Sequence, residues 1–242
     1  MENKNWNLSN QTNFESSNTS TTQTFMSKVF AWMFAALAVT SITAFYVAGN
    51  ESIIRSLLTE TGPSILGWIV MLAPIGFVLA MGLGFNKFSY NTLVILFLSY
   101  AVIMGVSLSF ILLVYTAASI FSTFLITSLM FGGMAVVGYT TKTDLTKFGS
   151  LMMMGLWGLI IASVVNFFLK SDTMEYIMSF IGVAVFTGLT AYDVQKLKNI
   201  GNGMEYGDES SKKVSIMGAL NLYLDFVNLF LFLLRFFGSR RD

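Results

Sequence analysis

Long apolar runs alternate with short polar breaks along almost the whole chain. The first 24 or so residues stand apart. They are rich in Asn, Ser, Thr and Gln and show no apolar period. Such a stretch buries too little apolar surface to fold alone, so residues 1–24 are expected to be a disordered polar tail. They also lack the short apolar core and small-residue cleavage site of a secretory signal. Seven apolar segments follow, each about 20 residues or longer, the length that crosses a bilayer core. The expected spans are Phe25 to Gly49, Ser64 to Phe85, two helices within Tyr90 to Tyr139 divided near Tyr115-Thr-Ala-Ala118, Gly149 to Leu169, Met174 to Gln195, and Val214 to Phe237. Pro74 lies inside the second span, where a kink is tolerated if a neighbour satisfies the freed carbonyl. The polar breaks predict a loop from Asn50 to Pro63, a tight turn at Asn86-Lys87-Phe88-Ser89, a loop from Thr140 to Lys147 and a short one from Lys170 to Thr173. Lys196 to Lys213, which contains Gly201, Gly203 and Gly207, is expected to be the longest internal loop. The pattern thus predicts an all-α integral membrane protein: a seven-helix transmembrane bundle over 25–237 and a short tail over 238–242.

Composition supports that class. The chain is 55% hydrophobic and only 11% charged, against about 25% charged in soluble domains. A net charge of +1 leaves no electrostatic footprint for nucleic acid. With no cysteine and no histidine, the chain cannot form disulfides or thiolate metal sites, and it lacks the usual sensor near neutral pH. Any response near neutrality must come from carboxyl groups.

The distribution of loop lysines sets orientation. Lys87 follows span two, Lys142 and Lys147 follow span four, and Lys196, Lys198, Lys212 and Lys213 follow span six. The even spans are therefore expected to end in the cytoplasm of a cell whose inner membrane holds the protein. By parity the N-terminus is cytoplasmic and the C-terminus lies outside. Arg235, Arg240 and Arg241 pull against that last step, and six spans with a re-entrant segment is the competing arrangement. Gly155, Gly158 and Ala162, leading to Asn166, form one small-residue face, and Gly105 with Ser109 forms another; both read as packing surfaces.

The candidate chemistry lies in the last two spans. Gly218, Asn221, Asp225, Asn228 and Arg235 share helical spacing, with apolar residues around them. A carboxylate inside such a segment is unfavourable in lipid and marks a functional site by default. Asp193 closes the preceding span in Thr190-Ala-Tyr-Asp193-Val-Gln195. Asp193 alone could be an interfacial residue that marks a helix end. Together, Asp193 and Asp225 are expected to face each other in the inner half of the membrane. Two close carboxyls in a low dielectric do not both ionise readily, so a shared proton is the stable state and the pair titrates in two separated steps. When both are ionised, they could hold a hard divalent cation weakly and briefly. Asn221 and Asn228, one turn to either side of Asp225, are candidate pathway-lining residues, hydrogen-bond partners or helix-helix glue.

Two motifs, Phe186-Thr-Gly-Leu-Thr-Ala-Tyr-Asp193-Val-Gln195 and Ala219-Leu-Asn-Leu-Tyr-Leu-Asp225-Phe-Val-Asn228-Leu-Phe, resemble the Bax inhibitor-1/YccA-like family. The Thr140–Lys147 loop and Asn166-Phe-Phe add to the likeness, which covers about Phe25 to Phe237. The resemblance implies a seven-helix bundle with the last helix central, ringed by the other six. It also implies a pH-sensitive calcium leak, with calcium as the transported ion and no cofactor. Asp193 and Asp225 match the family's two sensor aspartates. A basic residue at the inner end of helix two latches onto the first aspartate in the closed form, and Lys87 takes that position here. The best-described latch is an arginine, whose bidentate fork a lysine lacks. Bacterial relatives are partners of a membrane-bound ATP-dependent protease.

Two other classes compete with the leak. One is a non-transporting regulator that binds or modulates such a protease through the polar tail. The other is an intramembrane aspartyl protease, which also uses two membrane carboxyls. Those enzymes carry Gly-x-Gly-Asp and Pro-Ala-Leu motifs. Here Asp225 follows Leu222-Tyr223-Leu224, and the only prolines are Pro63 and Pro74. The reading from sequence is therefore that the protein is not an enzyme.

Overall fold

The computed structural model describes residues 21–59, 62–203 and 208–241. Seven helices are long and apolar enough to cross a membrane: α1 (Thr21–Ala48), α3 (Ile65–Gly84), α4 (Tyr90–Val114), α5 (Ala117–Thr140), α6 (Thr146–Leu169), α7 (Asp172–Asn202) and α8 (Glu209–Phe237). Between α1 and α3 stand a short helix, α2 (Glu51–Leu57), and an antiparallel pair of two-residue strands, β1 (Leu58–Thr59) and β2 (Gly62–Pro63). The loop expected there is thus largely structured. The polar tail lies outside the described residues up to position 20, whereas Thr21 to Thr24 are already helical. Thr22 is buried, and its hydroxyl donates to Asn202 Oδ1 at 2.7 Å, which ties the start of α1 to the end of α7.

Local chemistry explains where the helices begin. Ser64, Ser89, Thr116 and Ser171 each precede a span in extended conformation, and the side chain of each accepts a backbone N–H from the first turn. The break in the long apolar run falls at Tyr115-Thr116, as its sequence suggests. Pro74 lies within α3 and leaves the Val70 carbonyl without its helical donor. The Ser107 hydroxyl on α4 supplies one at 2.9 Å, so the neighbour that the proline requires is present.

One expected loop is mostly helix. α7 continues to Asn202 and α8 begins at Glu209, which reduces the Lys196–Lys213 break to residues 203–208. Lysine, asparagine, serine and glutamate sit readily on a solvated helix, so polarity there marked the end of the apolar stretch rather than the end of the helix. Gly201 is a packing position, because a Cβ on it would stand 3.0 Å from the Phe25 ring of α1.

α8 is the axis of the bundle. It packs against α1, α4, α5 and α7, and 61% of its apolar window is buried, against 6% for α6 and 11% for α3. The expected ring of six around the last helix is therefore a ring of four with two outer helices: α6 lies on α7, and α3 lies on α4. Tyr223, Leu222, Leu229 and Leu233 of α8 fill the centre together with Val29 and Met33 of α1 and Phe97 of α4. The Gly105 face contributes as expected, for a Cβ there would meet the Thr40 carbonyl of α1. Gly158 has open space around it and packs on nothing. Beyond α8, the tail folds back on the α4–α5 turn. Tyr115 and Arg240 form an antiparallel bridge, and Arg241 N donates to Val114 O at 2.8 Å.

Candidate functional site

Asp193 is placed by α7 and Asp225 by α8. Because α7 runs about two and a half turns past Asp193, this residue is interior to a helix and does not mark its end. Four close contacts fix the rotation of α7 here. A Cβ on Gly138 of α5 would strike the Ala191 carbonyl, and one on Gly149 of α6 would strike the Tyr192 ring. Gln195, 8% exposed, grips the α5–α6 loop with both ends of its amide: Oε1 accepts from Leu145 N and Nε2 donates to Thr143 O, each at 2.8 Å. Lys198 donates to the Tyr139 carbonyl at 2.7 Å, at the end of α5. With α7 held on that side, Asp193 is turned toward α8.

The two carboxyl groups face each other across the α7–α8 contact, near enough for each to feel the other. Asp225 is 5% exposed, and its Oδ2 is buried with no hydrogen-bond partner among the described residues. Asp193 is half-buried. The basic side chain whose field reaches Asp193 is Lys196, on its own helix. Chemically, the arrangement can hold one proton between two oxygens, or present several oxygens to a cation when both groups are charged.

The other candidates are spread out. Lys87 is exposed in the α3–α4 turn, and none of the ion pairs among the described residues joins it to either aspartate. Asn228 is half-buried and donates from Nδ2 to the Leu224 carbonyl of its own helix at 2.8 Å. Asn221 is exposed. Arg235, at the far end of α8, is also exposed and faces Glu175 across 3.8 Å. The polar face read from spacing is therefore not one surface: Gly218 and Asp225 are buried while Asn221 and Arg235 are not.

Sequence reasoning missed two features. The apolar pattern ends a span at Gln195, yet this residue is the clamp that seats α7; a polar amide two residues beyond an aspartate is the signal in the sequence. The second feature is a buried hydroxyl network, in which Thr40 Oγ1 lies 2.7 Å from Tyr223 Oη and 2.9 Å from the Ala101 carbonyl. It locks α1, α4 and α8 together near Asp225. Nothing in the spacing of those residues announces it.

A bundle of seven membrane-length helices whose central helix carries a buried aspartate, facing a half-buried one on its neighbour, defines a multi-pass membrane protein with an ionisable interior. A family model described as "Inhibitor of apoptosis-promoting Bax1" matches residues 22–242, and the chain belongs to that family. It is 46% identical to the inner membrane protein YbhL of Escherichia coli (strain K12) over 220 residues, which cover 90% of this chain and 93% of that relative. It is 47% identical to the uncharacterized protein RP147 of Rickettsia prowazekii (strain Madrid E) over 222 residues, 90% of each chain. An uncharacterized protein of Borreliella burgdorferi is 44% identical over 218 residues, 90% of this chain and 93% of the relative. None of these relatives carries an enzymatic name.

Proposed function

We propose that the protein is a passive, pH-sensitive calcium leak of the cell (inner) membrane, governed by Asp193 and Asp225. The observation that carries this reading is the meeting of the two carboxyls between α7 and α8, with Asp225 almost wholly enclosed. An intramembrane carboxyl pair has few structural uses and is a recognised element of ion and proton pathways. At low pH one shared proton bonds the pair and holds α7 to α8. As pH rises and that proton leaves, two like charges repel in a low dielectric, which loosens the contact and creates a site for a divalent cation. Two carboxylates offer about four oxygens at most, fewer than the six to eight that calcium prefers, so the ion stays briefly and passes. Flux therefore rises with pH.

The test is calcium entry into liposomes holding the purified protein, scanned from acid to mildly alkaline pH, with Asp193→Asn and Asp225→Asn beside the parent. The expected result is flux that climbs with pH in the parent and loses its pH dependence in either variant. If pH dependence survived Asp225→Asn, the carboxyl pair would not be the sensor. Absence of flux at every pH from folded protein would end the channel reading altogether.

A further inference from the structure

A cleft of about 570 Å³ opens on the bundle at the end where α4 turns into α5. Residues of α1, α4, α5 and α8 line it. This volume lies within the roughly 300–1,000 Å³ of small-molecule sites. Its lining is nearly all apolar, including Phe45, Leu112, Phe121 and Phe230. Phe45 and Phe121 stand at the rim, 68% and 66% exposed, and both belong to membrane-length helices, so the opening faces the hydrocarbon of the bilayer. Among the described residues, Arg241 is the one charged residue that lines the cleft, and no acidic side chain does.

Arg241 is not a loose end. Its backbone N–H donates to the Val114 carbonyl, Thr116 N donates to Ser239 O at 3.1 Å, and Ser239 N donates to Ser119 Oγ at 2.9 Å. A Cβ on Gly238 would sit 2.7 Å from the Tyr115 ring, so the tail is strapped tightly across the α4–α5 turn. The strap holds Arg241 against an apolar slot, beside a tyrosine of the kind that lies at headgroup level. Seven membrane-length helices put this mouth near the water interface and the slot within the acyl layer. A guanidinium with no carboxylate partner among the described residues is suited to a phosphate.

We propose that the cleft binds an anionic phospholipid, with one acyl chain laid between α1 and α5 and the phosphate on Arg241. Neither aspartate lines the cleft, so the calcium reading and this one fail separately.

The experiment uses the full chain in phosphatidylcholine nanodiscs doped with phosphatidylglycerol that carries a photoreactive group on its acyl chain. Labelled residues are mapped by mass spectrometry. Labelling should concentrate on Leu112, Phe121 and Phe230, several-fold above that from a phosphatidylcholine probe, and excess unlabelled phosphatidylglycerol should suppress it. Arg241→Gln should lower phosphatidylglycerol labelling to the phosphatidylcholine level. Ala117→Phe, which fills the slot, should abolish labelling by both probes. The Arg241 variant alters one exposed terminal side chain and keeps the test open if the filled-slot variant does not fold. Equal labelling by the two probes, or label spread evenly over the outward faces of α3 and α6, would reduce the cleft to ordinary bilayer contact and overturn the proposal. Competition by oleic acid but not by phosphatidylglycerol would also overturn it, by assigning the slot to free fatty acid.

Discussion

At the residue scale, the decisive groups are those that hold Asp193 where it is. Gln195→Leu removes both amide bonds to the α5–α6 loop and leaves Thr143 O and Leu145 N without those partners. It should destabilise the protein by about 1–3 kcal/mol and speed amide exchange at Leu145 selectively. If exchange at Leu145 were unchanged, the clamp would have no role in seating α7. A second residue makes a pH prediction outside the membrane. The Thr146 hydroxyl and N–H donate to Asp144 Oδ1 at 2.6 and 2.9 Å, opening α6. These bonds hold the exposed Asp144 carboxyl below its usual range. A depressed folded-state value means that this stabilisation is present above the ordinary carboxylate range and is lost as pH falls through the depressed value. Protection of the first turn of α6 should therefore weaken in acid in the parent and show no such pH dependence in Asp144→Ala, as read by hydrogen exchange corrected for intrinsic rates.

At the scale of elements, helix contacts turn on single small or hydroxyl residues. Ser107→Ala leaves the Val70 carbonyl, freed by Pro74, without its α4 donor. The expected loss is about 1–3 kcal/mol by reversible unfolding in mixed micelles, and no loss would mean that water replaces the serine. Two glycines that look alike in sequence should behave differently. Gly138→Ala drives a methyl into the Ala191 carbonyl where α5 crosses α7. Backbone cannot yield as a side chain tip can, so a cost of about 1–3 kcal/mol is expected. Gly158→Ala meets open space and should lie within about 0.5 kcal/mol of the parent. The same unfolding assay separates the pair.

The elements also show how far the sequence could be read. The four short breaks, at Asn86–Ser89, Tyr115–Ala118, Thr140–Lys147 and Lys170–Thr173, were legible because hydroxyl caps and turn residues act locally. The α7–α8 connection was misread because a glycine seated against Phe25 and a run of lysines look like a loop when only one dimension is visible. This error placed Asp193 at a helix end, where it resembled an interfacial residue. The continuation of α7 to Asn202 makes it interior to its helix.

At the scale of the whole molecule, seven spans put the N-terminal end of α1 and the end of α8 on opposite faces. The chain has no cysteine, so single-cysteine probes need no background changes. Labels at Asn86→Cys, Thr141→Cys and Gly203→Cys should react from one side of the membrane. Labels at Asn50→Cys, Ser171→Cys and Ser239→Cys should react from the other. Ser239 reacting with the first group would contradict a full seventh crossing and revive the re-entrant arrangement.

Hydropathy by itself determined the membrane class, the number of long helices and the two aspartates, because segment length and an intramembrane charge are properties of the linear chain. The family likeness added that the last helix is central. Only the tertiary structure decided how each helix is rotated and what it touches. It turned Asp193 toward Asp225, left Asn221 exposed and Lys87 unpaired with either aspartate, moved α3 and α6 to the outside, and opened the cleft beneath the strap. The physical reason is that these helices are apolar nearly all round, so no strong polar stripe announces an inner face. Rotation is then set by close contacts such as Gly138 on Ala191 and by the Gln195 clamp, and those exist only once the helices are packed.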